Sequence, residues 1–117
     1  MNNSIRHVGN HLIVKFPRES DHHNLAVLND KIKMELVKKG VKNIIFDIGD
    51  VSFIDSSAVG LVISKSKTVE SLGGKAGLCR AKGHVLKVLK TCSATGINRI
   101  YENIEEAVND FNNIMNA

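Results

Sequence analysis

The sequence predicts one α/β domain over residues 1–117, with a mixed, mostly parallel sheet of about four to five strands covered by about four helices. Three observations carry that expectation. Strand-like and helix-like segments alternate after an initial strand pair, in the order β-β-α-β-α-β-α-β-α. The run Ile44-Ile45-Phe46-Asp47-Ile48 is too short for a typical helix, rich in β-branched residues and closed by Gly49-Asp50, so it reads as a buried strand. Directly after it, the stretch from about Ser57 to Leu72 repeats apolar residues at helical spacing (Ala58, Leu61, Val62, Val69, Leu72) with neither Pro nor Gly after Gly60.

Taken in order, Ile5 to Val8 and His11 to Phe16 are short β-like runs separated by Gly9-Asn10, a hairpin turn, and Pro17 ends the second. Residues Arg18 to His23 read as a polar loop. They lead into a helix with the apolar stripe Leu25, Leu28, Ile32 and Leu36, capped by Ser20 or Asp21 and stopped by Gly40. Gly73-Gly74 turns the helix after Ser57 into a weaker strand, Lys75 to Arg80, in which Gly77 is an unfavourable residue. A third helix spans about Gly83 to Thr91, with Val85, Leu86, Val88 and Leu89 as its apolar positions, and Ser93 to Asn98 form a loop. Arg99-Ile100-Tyr101 is a short strand. The last helix opens at Asn103, with Glu106 three residues on as in a capping box, and continues through Val108, Phe111 and Met115.

Composition narrows the function classes. With 117 residues, 43% hydrophobic and 24% charged, the chain suffices for one globular core but not two. No apolar run is long enough to span a bilayer, and the N-terminus lacks the basic and apolar regions of a secretion signal, so a soluble, cytoplasmic protein is expected. Cys79 and Cys92 have neither metal-ligand nor redox spacing and read as buried thiols. The net charge of +4 is unevenly spread: eight bases stand against the single acid Glu70 between Ser64 and Arg99, whereas residues 100–117 carry four acids and no base. That basic segment has no aromatic for base stacking and no nucleic-acid-binding motif, so a solvated face or an acidic protein partner is expected, without direct nucleic-acid binding.

Enzyme constellations are mostly missing. The chain has no Gly-rich phosphate loop, no Gly-x-Gly-x-x-Gly, no Gly-x-Ser-x-Gly around its serines and no His-Glu-x-x-His. His22-His23 is the only histidine cluster and has no obvious third ligand, so neither metal nor cofactor is expected. What remains is the decapeptide Val51 to Gly60, where Asp55 is placed to accept bonds from the unpaired first N–H groups of a helix beside Ser56 and Ser57. That junction could be a helix cap or a site, and for Asp21 a cap and a partner contact are compatible roles.

The stretch Asp50-Val51-Ser52-Phe53-Ile54-Asp55-Ser56-Ser57-Ala58-Val59-Gly60, preceded by Ile44 to Asp47, closely resembles the signature of the STAS domain, specifically bacterial anti-sigma-factor antagonists. The resemblance extends to Glu19 to His23, to Gly73-Gly74 and to Ile104 to Ala107, and so covers nearly the whole chain. It implies that Ser56, the serine directly after the aspartate, is a phosphoryl acceptor. It also implies partner-switching: the unphosphorylated protein binds an anti-sigma factor with serine kinase activity and releases the sigma factor, phosphorylation ends binding, and a metal-dependent serine phosphatase resets the cycle. Asp21, His22, Asp55, Ser56, Ser57 and Val59 are the partner-binding residues this implies, and the protein is a substrate, not an enzyme. Ala58 and Arg18 stand where the family commonly has glycine. Two other readings stay open: an unphosphorylated STAS scaffold in a sensory or transporter-associated assembly, and a small hydrolase or nucleotide-binding enzyme using Ser56 or Asp55.

Overall fold

The run Ile44-Ile45-Phe46 has no polar side, and the fold meets that demand by covering both faces of its strand. The structure, a computed structural model, describes residues 4–38, 40–91 and 99–116. Its elements are β1 (Ile5–Val8), β2 (His11–Lys15), β3 (Glu19–Ser20), α1 (His22–Leu36), β4 (Asn43–Asp47), β5 (Phe53–Ile54), α2 (Ser56–Ser71), β6 (Ala76–Cys79), α3 (Gly83–Thr91), β7 (Ile100–Tyr101) and α4 (Ile104–Asn116). Five strands form one sheet in the order β1-β2-β4-β6-β7. Only the hairpin pair β1 and β2 is antiparallel; Leu12 pairs with Ile44, Phe46 with Leu78 and Leu78 with Ile100 in parallel register. The mixed, mostly parallel sheet is therefore as the sequence predicts. Cys92 and the loop Ser93 to Asn98 lie outside the described residues, as does the side chain of Met115.

Alternation along the strands divides the core in two. Leu12, Val14, Ile44, Phe46 and Leu78 point to one face, where they meet Leu25, Leu28 and Ile32 of α1, Ala58, Leu61, Val62 and Val69 of α2, and Val85 and Leu89 of α3. Ile13, Ile45 and Cys79 point to the other, beneath Ala107 and Phe111 of α4. Gly77 is needed in β6 because a Cβ there would come within 3.0 Å of the Tyr101 ring and 3.1 Å of the Phe111 ring. A residue the pattern singles out as weak for a strand is thus the one that lets α4 approach the sheet.

Four details differ from the sequence expectation. Residues Arg18 to His23 are not one polar loop: Glu19–Ser20 form β3, which pairs in parallel with β5, Glu19 opposite Phe53 and Ser20 opposite Ile54, and His22 already opens α1. Two-residue strands carry no periodicity, and this pair is held by long-range backbone bonds, with the Arg18 carbonyl accepting from Ser52 N (2.8 Å) and Phe53 N (3.2 Å). The helix after Asp55 begins at Ser56, one residue earlier than read. Leu72 caps that helix and is exposed instead of completing its stripe. In the last helix Asn103 Oδ1 accepts from Glu106 N (2.8 Å), but Glu106 Oε1 accepts from Glu102 N (3.1 Å), one residue before the cap.

Candidate functional site

Asp55 joins the N-termini of two helices. It is the extended N-cap of α2, with φ −120° and ψ −175°, and its Oδ1 accepts from Ser57 N at 2.8 Å. Its Oδ2 accepts from His22 N, the first residue of α1, at 3.2 Å. Asp21 is the N-cap of α1 and accepts from Asn24 N at 2.9 Å. Asp55 N in turn donates to Ser20 O (3.3 Å), so the β3–β5 pairing brings the two caps side by side. Each helix N-terminus presents partial positive charge from unpaired N–H groups, and here two such ends converge.

Ser56 is the first residue of α2 and is exposed, while Ser57 is half-buried. Among the described residues no side chain hydrogen-bonds the Ser56 hydroxyl. That arrangement suits a hydroxyl presented to another protein's active site. His22 is exposed and, with Ala26, Asn29, Ser57, Gly60 and Ser64, lines an open groove of about 330 Å³ between α1 and α2. Asp21, His22, Asp55, Ser56 and Ser57 are thus brought together on one face.

Val59 is placed differently from the expectation. It is only 9% exposed and belongs to the main core cluster, as do Ala58, Leu61 and Val62. The first half of α2 is apolar nearly all round because it is pressed between the sheet and α1; Val59 supports the face from behind and offers little surface of its own. Ala58 is fully buried too, so its methyl group is directed into the core. Phe53, at 51%, is an exposed apolar residue next to buried Ile54 in β5. The alternation of Phe53 and Ile54 was the available signal for it, hidden in a strand too short to recognise.

A charged network fixes the loop that leads from β4 to β5. Asp47, 3% exposed at the end of β4, accepts from Arg80 Nη1 with both carboxylate oxygens (3.2 and 3.1 Å) and from Gly49 N (3.1 Å). Arg80 Nη2 also reaches Asp50 Oδ1 (3.3 Å), and Lys15 Nζ lies 2.9 Å from Asp50 Oδ2. The hydrogen bond from Lys15 holds the Asp50 carboxyl below its usual range. Nearby, burial followed by the charge of Asp47 pushes the Cys79 thiol up to about 12, so it packs as a neutral apolar group. Among the described residues no three His, Cys, Asp or Glu side chains gather as a metal site. No helix among them is long and apolar enough to cross a membrane.

Comparison with known proteins gives one family. The family model described as STAS domain matches residues 2–107. An anti-sigma F factor antagonist of Paenibacillus polymyxa is 24% identical over 99 residues, covering 85% of each chain. A second, from Lysinibacillus sphaericus, is 29% identical over 79 residues, covering 68% of each. In structure the chain is similar to the anti-sigma factor antagonist SpoIIAA in its unphosphorylated form, with TM-score 0.82 and 25% identity over 93% of this chain and 95% of that one. It is also similar to the phosphorylated form of the Bacillus cell fate determinant SpoIIAA, with TM-score 0.75 and 26% identity over 91% and 96% of the two chains.

Proposed function

The chain belongs to the STAS domain family, and from that membership we propose that it is an anti-sigma-factor antagonist whose binding is switched off by phosphorylation at Ser56. The unphosphorylated protein docks on an anti-sigma factor that is also a serine kinase, and so frees the sigma factor. The observation that carries this reading is an exposed serine at the first position of α2, directly after an aspartate that ties together two helix N-termini. Asp21, His22, Asp55, Ser56 and Ser57 form the docking face, and Val59 supports it from within.

In the kinase reaction Ser56 Oγ attacks the γ-phosphorus of ATP, ADP leaves, and the hydroxyl proton passes to a base on the kinase. A metal-dependent serine phosphatase returns the hydroxyl by hydrolysis. The phosphoryl group adds about 1.5 to 2 negative charges at neutral pH, which helix N-termini accommodate, so the free protein stays folded. In the complex the same charge lies in a desolvated interface beside the Asp55 carboxylate. An unpaired charge there costs several kcal/mol, and about 2.7 kcal/mol already means a hundredfold loss of affinity.

Mass spectrometry after incubation with the cognate kinase and ATP should place the phosphate on Ser56. In calorimetric titrations against that kinase, Ser56→Ala should bind like the parent and resist inactivation, while Ser56→Asp should lose about a hundredfold in affinity. Phosphate on Ser57 alone would remove Ser56 as the acceptor, and equal affinity of the parent and its phosphorylated form would remove it as the switch and put the scaffold reading in its place.

A further inference from the structure

A groove separate from the Ser57 groove lies on the far side of α1 from Ser56. It has a volume of about 640 Å³ and lies between the end of β2, the turn into β3 and one face of α1. The α1 residues that line it, Asn24, Val27, Leu28 and Lys31, are offset by about half a helical turn from those lining the groove beside Ser57. The two grooves therefore open on opposite sides of the same helix. Neither the switch face nor the family assignment accounts for this one.

Its lining combines two chemistries. Pro17 and Val27, the latter 62% exposed, make an apolar wall over Phe16 and Leu28, whose side chains are buried in the core beneath it. Lys15, Arg18 and Lys31 supply three cations against one carboxylate, Asp50. Asp50 is already held by Lys15 at 2.9 Å and Arg80 at 3.3 Å. Arg18 and Lys31 make no ion pair among the described residues, so the groove keeps an uncompensated positive charge. An apolar wall with a few convergent polar groups, in a concavity of several hundred Å³, is the usual form of a small-molecule site.

We propose that this groove binds a small amphipathic anion, a carboxylate or phosphate monoester carried on an apolar body, with the body on Pro17 and Val27 and the anionic head between Arg18 and Lys31. Charge complementarity selects the head: the free cations satisfy an anion and leave a neutral head unpaired. The apolar wall selects against a bare inorganic anion. The site is independent of the phosphorylation switch, and it holds whether or not Ser56 is modified.

The test is a titration of the full ¹⁵N-labelled chain with octyl phosphate below its micellar concentration, followed by amide chemical shifts. Saturable shifts confined to residues 15–18 and 24–31 are expected. Inorganic phosphate and the neutral octyl glucoside should each bind about tenfold or more weaker, as should octyl phosphate to the R18E/K31E variant, whose exposed substitutions leave the melting curve unchanged. Equal binding of the neutral glucoside, equal binding of the charge-reversed variant, or no saturable shift would overturn the proposal. So would binding to phosphatidylglycerol vesicles without binding of monomeric octyl phosphate, which would assign the groove to a membrane surface instead.

Discussion

Asp55 shows how one residue serves both the fold and the site. As the N-cap of α2 it is readable from the sequence, because Asp before a helical pattern has a local reason to be there. Its second bond, to His22 N, joins residues 33 apart in the chain and has no local signature. Asp55→Ala removes the acceptor from both helix starts and should cost about 1 to 2 kcal/mol, which for a domain of this size lowers the melting temperature by several degrees. Asp55→Asn keeps one capping oxygen for Ser57 N but turns an NH2 toward His22 N, and should recover only part of that loss. A thermal melt of the three proteins decides it: if the alanine variant melts with the parent, the bridge between the helices contributes nothing. Ser56 was legible for a different reason, its position in a recognised motif, whereas Phe53 became visible as a surface residue only once its strand had a partner.

Among the elements, those with a strong period were legible and those defined by pairing alone were not. Of the stripe Leu25, Leu28, Ile32 and Leu36 the first three are buried as read and Leu36 is half-buried, and the unbroken Ile44-Ile45-Phe46 run sits between two helical layers. Strands β3 and β5 have two residues each and exist only because they pair with each other. The pairing of α1 with α2 also hides a cost that periodicity does not register: Lys65 of α2 is buried, and burial, then the charge of Lys33 in α1, lowers its pKa from 10.5, against a smaller opposing effect of Asp30. A lowered folded pKa means that the unfolded chain binds more protons, so this residue penalises the folded state while it is charged. The penalty fades as pH rises through the lowered folded value toward 10.5. Lys65→Met should therefore raise the melting temperature at neutral pH, and its advantage over the parent should shrink as the buffer is made alkaline. Cys79 and Tyr101, whose pKa values burial raises above that range in the folded state, contribute alike to both proteins and cancel in the difference. A variant no more stable than the parent at neutral pH would show that the ammonium carries no burial penalty.

At the scale of the whole molecule the sheet separates the side that carries the proposed switch from a supporting side. Helices α1, α2 and α3, with the Asp55 junction, cover one face; α4 packs its Ala107 and Phe111 into the core of the other. The supporting side has its own polar clamp. His11, 2% exposed, accepts from Asn43 Nδ2 at 3.1 Å and donates through Nε2 to Asn112 Oδ1 of α4 at 2.7 Å, while Asn43 Oδ1 accepts from Lys75 N at 2.8 Å. Asn112→Ala leaves a buried ring nitrogen without its partner, at a cost of about 1 to 3 kcal/mol. If the two sides are independent, that variant should melt lower than the parent yet bind the kinase with an affinity within about twofold of it, a difference under half a kcal/mol. Ser56→Asp should do the reverse, melting within a few degrees of the parent while losing its partner. Calorimetry and thermal melts on both variants make a paired test. A tenfold loss of kinase affinity in Asn112→Ala, measured well below its own melting temperature, would show that α4 transmits to the switch face through the sheet, and the separation into two sides would have to be abandoned.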